Sequence, residues 1–136
     1  MLLSLRFRAT PTDVASAGTR SDGIAPVGES ALTGVLAALA AKPGYLRGSV
    51  GRSPDAPEIW LLSVEFDSVG NGRRALGAAD IRPILWPLMP AALDEFSTFE
   101  SLAVCAPNAT PVSLVSDLAA DAGEFRLGTS SSGDGD

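Results

Sequence analysis

The stretch Glu58–Asp67 constrains this fold more than any other. Trp60, Leu62, Val64 and Phe66 fall on one side of an extended chain, and Ile59, Leu61, Ser63 and Glu65 on the other. One face is wholly apolar and the opposite face is half apolar, so both need cover. A strand patterned in this way belongs inside a sheet, with helices on the Trp60 face.

The rest of the chain supplies the partners. Leu3, Leu5 and Phe7 alternate with Ser4, Arg6 and Arg8, which predicts a half-buried first strand. Residues 9–28 lose periodicity and read as a long loop. Leu32, Val35, Leu36 and Leu39 form one apolar stripe, so a helix is expected from Glu29 to Ala41. Ser30 or Gly28 caps its start, and Lys42-Pro43-Gly44 ends it. Tyr45–Arg52 reads as a second strand, Leu46 and Val50 on one face and Tyr45, Arg47 and Ser49 on the other. Gly48 and Gly51 weaken or kink it, which points to a bulge there.

Ser53-Pro54-Asp55-Ala56-Pro57 makes a tight turn into the strong strand. After it, Gly70-Asn71-Gly72 opens a short helix, and Asp80 caps another that carries Pro83 in its first turn. Phe96–Val104 is the last expected strand. The order β-α-β-β-α-β, its second helix broken in two, is a split βαβ arrangement of the ferredoxin-like α+β class.

At 136 residues and 46% hydrophobic, the chain suits one domain with a proper core. The net charge of -6 is uneven. Residues 1–104 hold nine Lys/Arg against eleven Asp/Glu, whereas residues 105–136 hold one Arg against five acids. Neither part offers the basic surface that nucleic acid demands. The expectation is a domain over 1–104 and an acidic, largely disordered tail over 105–136, broken only by a weak amphipathic segment at Val112–Ala119. The single cysteine, Cys105, points to a reducing compartment, and no run approaches the ~18 apolar residues of a membrane helix. A cytoplasmic location is expected, with neither membrane nor nucleic acid as a partner.

From Leu39 to Leu102 the chain resembles the antibiotic biosynthesis monooxygenase-like group of dimeric α/β barrels. The residues that carry this are Lys42-Pro43-Gly44-Tyr45-Leu46-Arg47-Gly48-Ser49 and Ile59-Trp60-Leu61-Leu62-Ser63-Val64-Glu65-Phe66. Ser68-Val69-Gly70 with Arg73-Arg74-Ala75-Leu76, then Asp94-Glu95-Phe96-Ser97-Thr98-Phe99-Glu100, complete them. The resemblance implies a protomer whose sheet packs on a second copy, and a pocket between sheet and helices. It also implies oxidation of polycyclic aromatic or polyketide-like substrates without metal or flavin, so no cofactor is expected. One branch degrades haem through a histidine on the second helix. This sequence has no histidine, and Ala75 lies near that place. Relatives often place Trp where Phe66 stands.

The absence of histidine also removes Ser-His-Asp triads, Cys-His pairs and imidazole metal sites. Trp60 is either a flat wall on which a planar substrate stacks or a core residue under the helical leucines. Trp86, in a Pro-rich piece, stands either at the pocket mouth or in a packing contact. Arg73 and Arg74 project about 100° apart, so at most one faces a pocket, where it would hold an anion. Solvated arginines are the alternative. Glu65 is either a general base or the partner of Arg47, while Tyr45 offers a phenol. Phe66 completes the aromatic set. Asn71 reads as a turn residue, Cys105 as an unactivated thiol, and Asp94, Glu95 and Glu100 as strand-end charges rather than metal ligands.

Two function classes remain open at this level. One is a cofactor-independent oxygenase of an aromatic substrate, with Glu65 or Tyr45 as base. The other is a non-catalytic dimeric ligand-binding or scaffold protein. A polar-lined cavity favours the first and a filled apolar core the second.

Overall fold

A computed structural model describes residues 1–10 and 26–116. Most of the expected 9–28 loop and the tail from residue 117 onward lie outside the described residues. The chain divides into a unit Met1–Phe99 and a second unit from Glu100, each described by itself.

In the first unit, β1 (Leu2–Arg8), β2 (Tyr45–Arg52), β3 (Ile59–Phe66) and β4 (Thr98–Phe99) form an antiparallel sheet in the order β2-β3-β1-β4. This is the ferredoxin-like arrangement, open at both edges, so the single chain closes no barrel. The register pairs Leu3 with Val64, Leu5 with Leu62 and Phe7 with Trp60. The apolar alternations of β1 and β3 therefore fall on one face, and all but Trp60 of these side chains are buried.

Helix α1 (Glu29–Ala40) covers that face with Leu32, Val35 and Leu39, all fully buried. Gly28 is its N-cap residue and makes no side-chain hydrogen bond. The end comes at Lys42-Pro43-Gly44. Gly44 has φ 85°, and a Cβ there would run into Asp67 and Asn71, so both backbone and space require glycine.

The second strand differs from its expected alternation. A bulge between Tyr45 and Arg47 leaves Leu46 unpaired and half exposed, and Tyr45 joins Val50 on the inner face. Tyr45 pairs with Phe66 and meets its ring edge-on, with centroids 6.0 Å apart. Gly48 is not the bulge. A Cβ on it would strike Leu36 of α1, so its bareness lets helix and strand approach closely.

Helix α2 (Val69–Leu76) begins a residue earlier than the Gly70 start expected, because Ser68 Oγ accepts from Asn71 N at 3.1 Å. The short α3 (Arg82–Leu85) runs into a 3-10 turn, Trp86–Ala91, whose Pro87 and Pro90 prevent a longer α-helix. Asp80 does not cap α3. Ile81 precedes that helix, and Asp80 Oδ1 instead accepts from Lys42 Nζ at 2.6 Å.

The last strand is shorter than expected. Leu93 N donates to Arg6 O and Ser4 N to Ser97 O, so the chain follows β1 loosely before the regular pairing at Thr98–Phe99. Neither face of Phe96–Val104 is consistently apolar, and Phe96 is 91% exposed, so no register buries the whole stretch. Ala103–Val104 instead forms β5, which pairs with β6 (Val112–Ser113) in the second unit. The start of the weakly amphipathic segment is thus extended. No helix among the described residues is long and apolar enough to cross a membrane.

Candidate functional site

Between sheet and helices the first unit is mostly filled. Phe7, Phe66 and Leu62 meet Leu32 and Leu39 of α1 and Ile81 and Leu88 beyond, and each is 1% exposed or less. This packing opens at the end of the β2–β3 hairpin. Arg52 and Trp60 are cross-strand partners, and the guanidinium carbon stands 5.3 Å from the indole centroid, within cation–π range. Glu29, the first residue of α1, joins Arg52, Trp60, Val50 and Gly51 around a cleft of about 290 Å³.

A second cleft, of about 400 Å³, opens beside the same hairpin, is lined by Ala56 of its turn, and extends to residues of the other sheet face, Arg6, Ile59 and Leu61. Arg6 is already engaged there. Its Nε donates to Glu95 Oε2 at 2.7 Å and its Nη2 to Glu95 Oε1. Those hydrogen bonds hold the Glu95 carboxyl below its usual range and push the Arg6 guanidinium up. Asp80 is lowered in the same way by its hydrogen bond from Lys42.

The other sequence candidates are distributed elsewhere. Phe66 is a core residue, 1% exposed. Glu65 is buried on the outer sheet face with Arg47 Nε 3.4 Å from its Oε1, which is the ion pair offered as the alternative to a base. Arg73 and Arg74 lie on the exposed side of α2, beyond the far end of β3 from Trp60. Arg74 Nη2 donates to Asn71 Oδ1 at 2.6 Å, and Asn71 Nδ2 donates to Asp67 Oδ1 at 2.8 Å. Asn71 therefore does more than turn the chain. Trp86 is 58% exposed under Arg82, whose guanidinium carbon is 5.4 Å from the ring. Tyr45 sits half-buried beside Phe66.

In the second unit, Cys105 is exposed and its Sγ lies 3.1 Å from Ala109 O. Glu100 accepts from Ser116 Oγ. No group of three His, Cys, Asp or Glu side chains suited to a metal occurs among the described residues.

Sequence reasoning missed Arg52 and Glu29. The turn at Ser53–Pro57 held the signal for the first, since counting back from it sets Arg52 beside the start of β3. Glu29 is placed only by the docking of α1, which no local pattern specifies.

No family model matches the sequence, and no curated protein matches it significantly. Solved structures do match. SnoaB, a cofactor-independent oxygenase from Streptomyces nogalater, aligns over 74% of this chain and 94% of its own, at 20% identity and TM-score 0.50. A candidate antibiotic biosynthesis monooxygenase from Deinococcus radiodurans aligns over 78% of this chain and 100% of its own, at 15% identity and TM-score 0.54. Another from Nitrosomonas europaea aligns over 69% and 80%, at 10% identity and TM-score 0.52. The chain has the antibiotic biosynthesis monooxygenase fold. Within that fold its exposed arginine and half-buried tryptophan share one cleft mouth, with a carboxylate beside them.

Proposed function

We propose that this chain is an antibiotic biosynthesis monooxygenase-like protein that oxidises a planar aromatic or polyketide-like small molecule without a cofactor, in the Glu29–Arg52–Trp60 cleft. The observation that carries this is the meeting of three groups in one cleft: a carboxylate to take a proton, a guanidinium to hold an anion and an indole to orient a ring. In this reading Arg52 takes the anion-holding role for which Arg73 and Arg74 were the sequence candidates.

The chemistry asks little more of the protein. Glu29 removes a proton from an activated ring CH₂, and Arg52 stabilises the resulting enolate oxygen. The substrate anion passes one electron to O₂, and the radical pair joins to form a carbon-bound peroxide once protonated. Loss of water leaves a carbonyl, so CH₂ and O₂ become C=O and H₂O. All four electrons lost by the carbon go to O₂, one oxygen atom ending in the carbonyl and the other in water. The protein works as a homodimer through the outer sheet face, where Ile59 and Leu61 stay only half-buried.

A second reading, a non-catalytic ligand-binding protein, is favoured by the exposure of Glu29 and Arg52 and by the filled core. Water exclusion of the kind such oxidation benefits from is weak at an open cleft. Anthrone, which carries one acidic CH₂ between two aromatic rings, separates the two. Oxygenation predicts one O₂ consumed per carbonyl formed, with loss in Arg52→Gln and Glu29→Gln and retention in the Arg73→Ala/Arg74→Ala double variant. Saturable binding with no O₂ uptake above the buffer rate supports the second reading instead. Loss of turnover in the double variant with retention in Arg52→Gln moves the anion site to α2.

A further inference from the structure

We infer that Arg52 is a latch on Trp60 that favours an aromatic anion, brought as such or formed in the cleft by loss of a ring proton, over a neutral aromatic or a non-aromatic anion. The inference rests on the reading of the Glu29–Arg52–Trp60 cleft as a ligand site and goes further, to how that site selects.

Trp60 is half-buried and packs against the core, and Arg52 stands over its ring. The guanidinium thus occupies the ring surface on which a flat ligand would stack. A neutral aromatic must displace the cation and offers it no charged acceptor in return. A non-aromatic anion draws the guanidinium away but leaves the indole uncovered. An aromatic anion does both: its charge takes the guanidinium through charge-assisted hydrogen bonds, and its ring replaces the cation–π contact. Glu29 is the one carboxylate that lines this cleft among the described residues, and it sharpens the choice by repelling an anion that Arg52 does not neutralise. No carboxylate partner of Arg52 within ion-pair distance exists among the described residues, so its guanidinium is available for exchange.

Arg82 and Trp86 provide an internal comparison. Their separation of 5.4 Å matches the 5.3 Å of the latch, yet neither residue lines either cleft.

The test is isothermal titration of the full chain with 2-naphthoate, its neutral shape-mimic 2-acetylnaphthalene, and cyclohexanecarboxylate. The unaltered chain should bind 2-naphthoate more tightly than either other probe. In Arg52→Gln the order should invert. Affinity for 2-naphthoate falls by roughly 10- to 100-fold, while that for 2-acetylnaphthalene rises by roughly two- to fivefold, because the ring surface is freed. Arg82→Gln should change neither. If 2-naphthoate binds and Arg52→Gln weakens both aromatic probes alike, or weakens only the anion, the site stands and the latch is wrong. If no probe binds the unaltered chain or the variant, the ligand site and the latch both fall. Unchanged circular dichroism of Arg52→Gln guards against misfolding as the cause, and Arg52→Lys, which keeps charge without the planar fork, should restore only part of the 2-naphthoate affinity.

Discussion

Arg47 and Glu65 face each other across β2 and β3 on the sheet face away from the helices, Nε 3.4 Å from Oε1. The two are unequal. The Glu65 side chain is only 9% exposed and that of Arg47 is 72% exposed, so the pair joins a buried carboxylate to a solvated cation. It ties the bulged strand to the central one just past the bulge.

Replacement of Arg47 by Met is therefore expected to cost about 1–2 kcal/mol, between a surface pair and a buried one. Urea denaturation midpoints provide the measurement. Adding Glu65→Gln should recover part of the loss, since no charge then stays buried without this partner. A midpoint unchanged by Arg47→Met would show that the pair contributes nothing.

Acid should weaken the fold through two carboxyls. Glu95 and Asp80 both titrate below their ordinary values of 4.5 and 3.8, because Arg6 and Lys42 donate hydrogen bonds to their charged forms. A folded-state value below the unfolded one gives stability that is fully present above the unfolded value. It is lost as pH falls through the folded one. Stability measured from pH 6 down to pH 2 should thus fall less steeply in Glu95→Gln/Asp80→Asn than in the unaltered chain. Parallel curves would refute the linkage.

Two aromatics assigned to the same site from sequence should behave oppositely. Phe66 is 1% exposed and packs edge-on against Tyr45, so Phe66→Ala should cost about 3–5 kcal/mol. Trp86 is 58% exposed and contacts Arg82, so Trp86→Ala should cost ~1 kcal/mol or less. Thermal melts of the two variants rank them directly. Equal losses would mean Trp86 is covered in solution.

The proposed dimer has its own check. Ile59 and Leu61 on the outer face are half-buried apolar residues beside Arg6 and Arg8. Light scattering at micromolar concentration should report twice the 13.9 kDa chain mass. Leu61→Arg should return it to the monomer with far-UV circular dichroism unchanged. A monomer in the unaltered chain sinks the proposal.

What the sequence by itself determined was the set of elements and the face each buries. The alternation in β1 and β3 and the leucine stripe of α1 are local periodicities, and the backbone converts them directly into apolar faces. Leu3, Leu5, Phe7, Leu32, Val35 and Leu39 are buried as their spacing demands. Where local signals were satisfied by more than one partner, only the tertiary structure decided. The bulge at Leu46 follows from how β2 pairs with β3, not from its own alternation, which reads equally well without it. Asp80 has the chemistry of a helix cap, yet Lys42, 38 residues away, offers its carboxylate a full charge where a cap offers only partial ones. The last strand stops at Phe99 because its side chains give no register a clear advantage. The cleft shows the same division most plainly. Trp60 was legible as an aromatic on a helix-facing strand, but its companions are Arg52, set opposite by hairpin register, and Glu29, set nearby by the docking of α1. Register and docking are decided by contacts between distant segments, and no periodicity within one segment encodes them.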